Sequence, residues 1–209
     1  MKKLLSLVLA LLLALSFAGC SGSTAMTEAN VTATVDSAFD ALKHFDTKKL
    51  EKYVDSKTLS VIITYANKHD QFADLGKALF KNLECNIESI DLDARTVTVS
   101  VRNKDLKDTA SAFTKALVSK YSALQMLSLL NNETWLNTSL KSLTDSIAIA
   151  KMQSAPVRVT LTVTAGKKNL MLGFDDTAEN AVSGGALQAV KSLTSGLTGS
   201  KSTTESTSN

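Results

Sequence analysis

Two stretches of this chain alternate strictly between apolar and polar, mostly hydroxyl-bearing, side chains, and they decide which class of fold is open to it. "RTVTVSVR" places Val97, Val99 and Val101 on one side and Thr96, Thr98 and Ser100 on the other. "VRVTLTVTA" does the same with Val157, Val159, Leu161 and Val163 against Arg158, Thr160, Thr162 and Thr164. A period of two marks a strand with one buried and one wetted face, and β-branched residues suit that pleated surface. Each run has a neighbour. "LECNIES" sets Leu83, Cys85 and Ile87 on one face ahead of the Asp-rich turn "DLDA", and "NLMLGF" supplies Leu170, Leu172 and Phe174 after "GKK". Paired runs around a short turn read as hairpins, so four antiparallel strands in two hairpins are expected. Pro156, the only proline, stands where the second hairpin begins, a place a sheet tolerates.

Elsewhere the period is helical. Val35, Ala38, Phe39, Leu42 and Phe45 mark a first helix. Asp46 or Thr47 stands to cap a short second helix carrying Leu50, Tyr53 and Val54. Residues 59–65 read as helix despite their β-branched content, and Phe72, Leu75 and Leu79 mark another over 71–83. Between the hairpins one stripe runs through Leu106, Ala110, Phe113, Leu117, Tyr121, Leu124 and Leu127. "LNNET" interrupts it, and Leu136, Leu140, Leu143, Ile147 and Ala150 form a second stripe, so the pair reads as a helical hairpin. After the last strand, Asp176 stands three residues before Glu179, the spacing of a capping box, and Gly184-Gly185 breaks the closing helix. The expected class is α+β: a curved four-stranded antiparallel sheet packed by N-terminal helices, with a helical-hairpin insertion and a closing helix.

Three stretches carry a resemblance: "FDALKHFDTKKLEKYVD" (39–55), "IESIDLDARTVTVSVRNKDL" (87–106) and "KKNLMLGFDDTAENAVSGGAL" (167–187). In type, spacing and order they resemble the nuclear-transport-factor-2-like, or cystatin-like, superfamily, and within it small lipoproteins of Firmicutes. The resemblance covers roughly 33–193 and implies a cavity between helices and sheet. The chain departs from it at Asn169–Met171, where such proteins often carry tryptophan and a basic residue; the only tryptophan here is Trp135.

The N-terminus supplies an address. Lys2 and Lys3 precede a run from Leu4 to Ala18 that is apolar except for Ser6 and Ser16, and Cys20 follows. As a helix that run spans about 22 Å at roughly 1.5 Å per residue, short of the about 20 residues a membrane span needs, and it has the make-up of a signal-peptide core. "FAGC" (Phe17–Cys20) resembles a bacterial lipobox, with Phe17 where leucine is usual. That resemblance implies a diacylglyceryl group on the Cys20 thiol, a bond to membrane lipid, and a place at the extracytoplasmic face of the cell membrane. The organisation read is a lipoprotein signal peptide (1–19), the lipidated cysteine and a flexible tether (20–30), one α+β domain (31–193), and a disordered Ser/Thr-rich tail (194–209). Removing Lys2 and Lys3 takes the net charge from +3 to +1, so the basic pI of the whole chain is no argument for nucleic acid, and none is expected as a partner. With Cys20 acylated, Cys85 has no disulfide partner; its place opposite the polar positions of a strand makes it a small buried hydrophobe.

Motifs for chemistry are scarce. His44 and His69 are too far apart for a metal spacing and read as surface side chains, so no metal or other cofactor is expected. Asp91 and Asp93 suit a hairpin turn, where aspartate bonds local backbone. No nucleophile-elbow, P-loop or Rossmann pattern occurs. An isomerase-like enzyme would need an acid facing an apolar cavity, and none of the inward strand positions carries a carboxylate or a histidine; Tyr53, Tyr65 and Tyr121 remain to line a cavity from the helices. The leading expectation is a non-catalytic lipoprotein that binds or scaffolds a protein partner or a second copy. Its candidate surface is the hydroxyl face of Thr96, Thr98, Ser100, Thr160, Thr162 and Thr164. The alternative is a carrier of a small apolar ligand, and an enzyme comes third.

Overall fold

The computed structural model describes residues 24–191; the expected signal segment, the Cys20 lipidation site and the Ser/Thr-rich tail lie outside them. The fold is α+β. Helix α1 (Glu28–His44) begins inside the stretch read as tether, because Thr27 caps it, its hydroxyl accepting from the Asn30 N–H at 3.2 Å. Glu28 sits at its positive end and Lys43 and His44 at its negative end, as the helix dipole favours. Its buried face, with Val31, Val35, Ala38 and Leu42, lies in the core against the sheet. The helix stops at Phe45, which adopts a left-handed φ of 49°. That conformation is costly for a bulky residue, and it persists here with the ring buried and stacked on Phe80 at 6.1 Å. Gly76 makes room: a Cβ there would stand 2.6 Å from the ring.

Asp46 caps α2 (Thr47–Tyr53), accepting from the Lys49 N–H at 3.1 Å. Helix α3 (Lys57–Ala66) follows a two-residue strand, and α4 (Asp70–Phe80) comes next. In α3 the Ser56 cap and the buried Leu59, Ile63 and Ala66 at helical spacing outweigh the β-branched content.

The strands are β1 (Val54–Asp55), β2 (Glu84–Asp91), β3 (Thr96–Arg102), β4 (Val157–Ala165) and β5 (Leu170–Gly173). They form a five-stranded mixed sheet in the order β1–β5–β4–β3–β2, which corrects the expected four antiparallel strands. The two hairpins are present and pair antiparallel through β3 and β4. The addition is β1, parallel to β5 through Val54–Leu172 and Asp55–Gly173; two residues between helices carry no readable period. Val97, Val99, Val101, Val159, Leu161 and Val163 are buried as expected. Val157 is exposed at the strand end, and Cys85 and Ile87 are half-buried on the edge strand β2. A bulge between Ile87 and Ser89 shifts the register, so that Ile90, opposite Val97, turns toward the core.

The insertion comprises α5 (Lys107–Lys120), α6 (Ala123–Leu129) and α7 (Glu133–Ile149). The single long stripe is broken at Tyr121–Ser122, where Ser122 and Gln125 form a reciprocal capping box that starts a new helix. Leu106 and Ala110 are buried, whereas Leu124 is 80% exposed. Helix α7 lies chiefly along α4 rather than pairing only with α5. The closing helix α8 (Asp176–Val182) is capped by Asp175, not Asp176: the Asp175 carboxylate accepts from the Ala178 N–H at 2.8 Å. Gly184 (φ 61°) and Gly185 (φ 85°) then break the helix, as expected. A Cβ on Gly184 would collide with the Lys104 carbonyl, and the Gly184 carbonyl accepts from the Leu106 N–H at 2.8 Å. Residues 186–191 are helical again. No helix among the described residues is long and apolar enough to cross a membrane.

Candidate functional site

The closing segment does not fill the space it covers. A cavity of about 260 Å³ remains between α3, α4 and the chain from α8 onward. Leu59 and Ile62 of α3, Leu79 and Phe80 of α4, and Val182 and Leu187 of the closing segment supply its apolar walls. Leu42, Val54 and Phe174 reach it from α1, β1 and the end of β5. Two of its walls are tied together by Asn103, fully buried at the end of β3. Its side-chain amide donates to the carbonyls of Leu79 at 3.0 Å and Val182 at 2.7 Å.

Among the described residues, one lining residue is ionisable. Glu179, on α8, is 9% exposed, and its carboxylate meets the first turn of α3. Oε1 accepts from the Ser56 hydroxyl in a short hydrogen bond and from the Thr58 N–H at 3.3 Å. Ser56 Oγ in turn accepts from the Leu59 N–H at 3.0 Å. The free amides and positive dipole end of a helix start favour an anion there. Oε2 makes no hydrogen bond among the described residues.

A second, polar pocket of about 470 Å³ shares Ser56, Thr58, Phe174 and Glu179 with the first. It adds Asp55, Lys57, Asp175 and Asp176, together with Thr160 and Thr162. Glu179 therefore stands where an apolar chamber meets a polar one.

The six hydroxyl residues read from the sequence do share one face: Thr96 pairs with Thr162 and Thr98 with Thr160 across β3 and β4, and Ser100 lies opposite Arg158. The Thr98 and Thr160 hydroxyls are 3.1 Å apart. Thr164 lies at the other end, opposite Met171. On β3 these side chains are half-buried and on β4 exposed. Only Thr160 and Thr162 of the six line a described pocket. Glu179 carries no local site signal: its spacing from Asp176 reads as a cap, and its partners Ser56 and Thr58 lie more than a hundred residues earlier.

Other candidates settle elsewhere. Tyr65 packs on Phe72 and Tyr121 on Trp135, at 5.4 and 6.4 Å, and neither of them nor Tyr53 lines the apolar cavity. His44 is exposed beside Asp40, as read. His69 is not a free surface side chain: 14% exposed, it meets the Glu133 carboxylate at 2.8 Å. Hydrogen bonds from His69, then from Gln71, hold the Glu133 carboxyl below its usual range. Asp91 serves the hairpin turn, accepting from the Ala94 N–H at 2.8 Å. Burial, with a smaller contribution from the Asp36 carboxylate, pushes the Cys85 thiol up to about 12. Among the described residues no group of His, Cys, Asp and Glu side chains is placed to hold a metal ion. Comparison with protein-family models, curated proteins and solved structures finds no match to this chain.

Proposed function

We propose that this chain is a lipid-anchored extracytoplasmic lipoprotein whose domain binds a small apolar ligand, without chemistry, in the cavity between α3, α4 and the closing segment. The observation that carries this reading is the cavity, whose lining is apolar apart from three hydroxyls and Glu179. At about 260 Å³ it is larger than the engineered ~150 Å³ cavity that stays dry and takes benzene. A few placed polar groups in an apolar chamber are the usual make-up of a ligand site. The anchor rests on "FAGC" and the apolar run before it.

A neutral apolar fluorophore, N-phenyl-1-naphthylamine, tests this on the purified full chain. Ala186 is half-buried and lines the cavity, so Ala186→Phe fills it with little demand on the core. The unmutated chain is expected to brighten the probe saturably with one site. Ala186→Phe, in the same detergent or lipid background, is expected to lose that signal while keeping its circular dichroism. Equal saturable binding by both proteins overturns the cavity as the site.

A further inference from the structure

Apolar walls admit many ligands; the polar end of the cavity is more selective. We propose that the ligand is an amphipathic molecule with a cationic amine head, its ammonium on Glu179 Oε2 and its apolar body against Leu59, Ile62, Phe80 and Val182. This rests on the cavity reading and adds the chemical class of what fills it.

Three observations converge on an amine. Among the described residues Glu179 is the one ionisable side chain lining the apolar cavity, and no cation lines it. Its two oxygens are not equivalent: Oε1 is used by Ser56 and Thr58, whereas Oε2 has no partner among the described residues. A carboxylate oxygen accepts and never donates, so what it lacks is a donor. A charged donor makes the stronger bond. The adjoining polar pocket carries the same sign. Asp55, Asp175, Asp176 and Glu179 line it against Lys57 alone; Asp175 caps α8 and Asp176 pairs with Lys191 at 2.5 Å. A fatty carboxylate would meet repulsion at this end, and a neutral alcohol would gain one hydrogen bond to the carboxylate but no ion pairing. An alkylammonium gains a charge-assisted bond and leaves its tail in the apolar chamber. The head is reached from the polar side, where Glu179 lines both chambers.

Displacement of N-phenyl-1-naphthylamine by n-octylamine, n-octanol and octanoate at neutral pH tests this on the full chain. The expected order is amine, alcohol, carboxylate, with octylamine about tenfold or more tighter than octanol. Glu179→Gln keeps an oxygen for Ser56 and Thr58 and removes the charge; it is expected to abolish the preference for octylamine over octanol. An octylamine affinity no better than that of octanol, or a preference that survives Glu179→Gln, overturns the amine and leaves the cavity reading standing. Failure of all three ligands and of the fluorophore overturns both. The ranking on the unmutated chain needs no variant, so it decides the matter even if Glu179→Gln does not fold.

Discussion

The side-chain amide of Asn103 donates to the carbonyl of Val182 at 2.7 Å, joining the end of β3 to the last turn of α8 across 79 residues of sequence. The same amide reaches the Leu79 carbonyl at 3.0 Å, and both acceptors belong to residues that wall the cavity. The Asn103 Oδ1 accepts from the Lys104 N–H at 2.8 Å. Asn103→Ala leaves these groups without their partners in a buried place, at a cost of about 1–3 kcal/mol for each buried group left unsatisfied. Urea unfolding is expected to show a midpoint well below that of the unmutated chain, with weaker binding of the apolar fluorophore. An unchanged midpoint would show that the two carbonyls find other partners.

Asn103 also shows where reading the chain as a sequence stops. The β3 and β4 strands are plain because every second residue from Val97 to Val101 and from Val159 to Val163 is buried; periodicity is a local signal. Strand β1 is two residues long and exists only because Leu172 and Gly173 lie beside it. The bulge after Ile87 likewise answers to its partner strand, and it brings Ile90 inward where strict alternation would bring Ser89. The break between α5 and α6 was within reach, since Ser122 and Gln125 have capping-box spacing, but the apolar stripe across them suggested one helix. Glu179 is the opposite case. Its neighbours in sequence fit an exposed first turn, and only the fold brings Ser56 and Thr58 to it. A buried polar residue whose partners are distant has no local signature.

The contact between the His69 ring and the Glu133 carboxylate ties the loop before α4 to the start of α7 at 2.8 Å. Gln71 adds a second bond to the same carboxylate at 3.1 Å. These bonds hold the Glu133 carboxyl below its ordinary value of 4.5. A carboxyl whose folded pKa is depressed contributes stability that is present above the unfolded value and lost as pH falls through the folded one. The melting temperature of the unmutated chain should therefore fall more steeply below pH 4.5 than that of Glu133→Gln. Parallel curves for the two proteins would remove the pair as a docking contact for α7.

Cys85 should be a poor nucleophile although it lies on an edge strand. Burial raises its thiol from an ordinary 9.0 to about 12, and the thiolate is the reactive form. In a Cys20→Ala protein Cys85 is the sole cysteine, so a disulfide reagent reports on it alone. Labelling at pH 8 is expected to be slow in the folded protein and fast in urea. The sign for stability follows from the same shift: only the unfolded thiol ionises between pH 9 and 12, so stability falls as pH rises through that window. Folded-state labelling as fast as in urea would mean that the β2 edge opens readily.

The proposed anchor is separable from the proposed binding site. The run before Cys20 is 15 residues from Leu4 to Ala18, too short for a stable span, so on the lipoprotein reading proposed above membrane attachment falls to the acyl chains. One chain holds a protein marginally and two hold it stably, which is what a diacylglyceryl cysteine supplies. Cys20→Ala is expected to lose the diacylglyceryl mass and leave the membrane fraction. The fluorophore affinity should stay unchanged, because the cavity lies among residues 42–190. A Cys20→Ala protein that still sediments with membranes through carbonate washing would refute the lipid anchor. Loss of fluorophore binding in that variant would place the apolar site at the acyl group rather than in the domain.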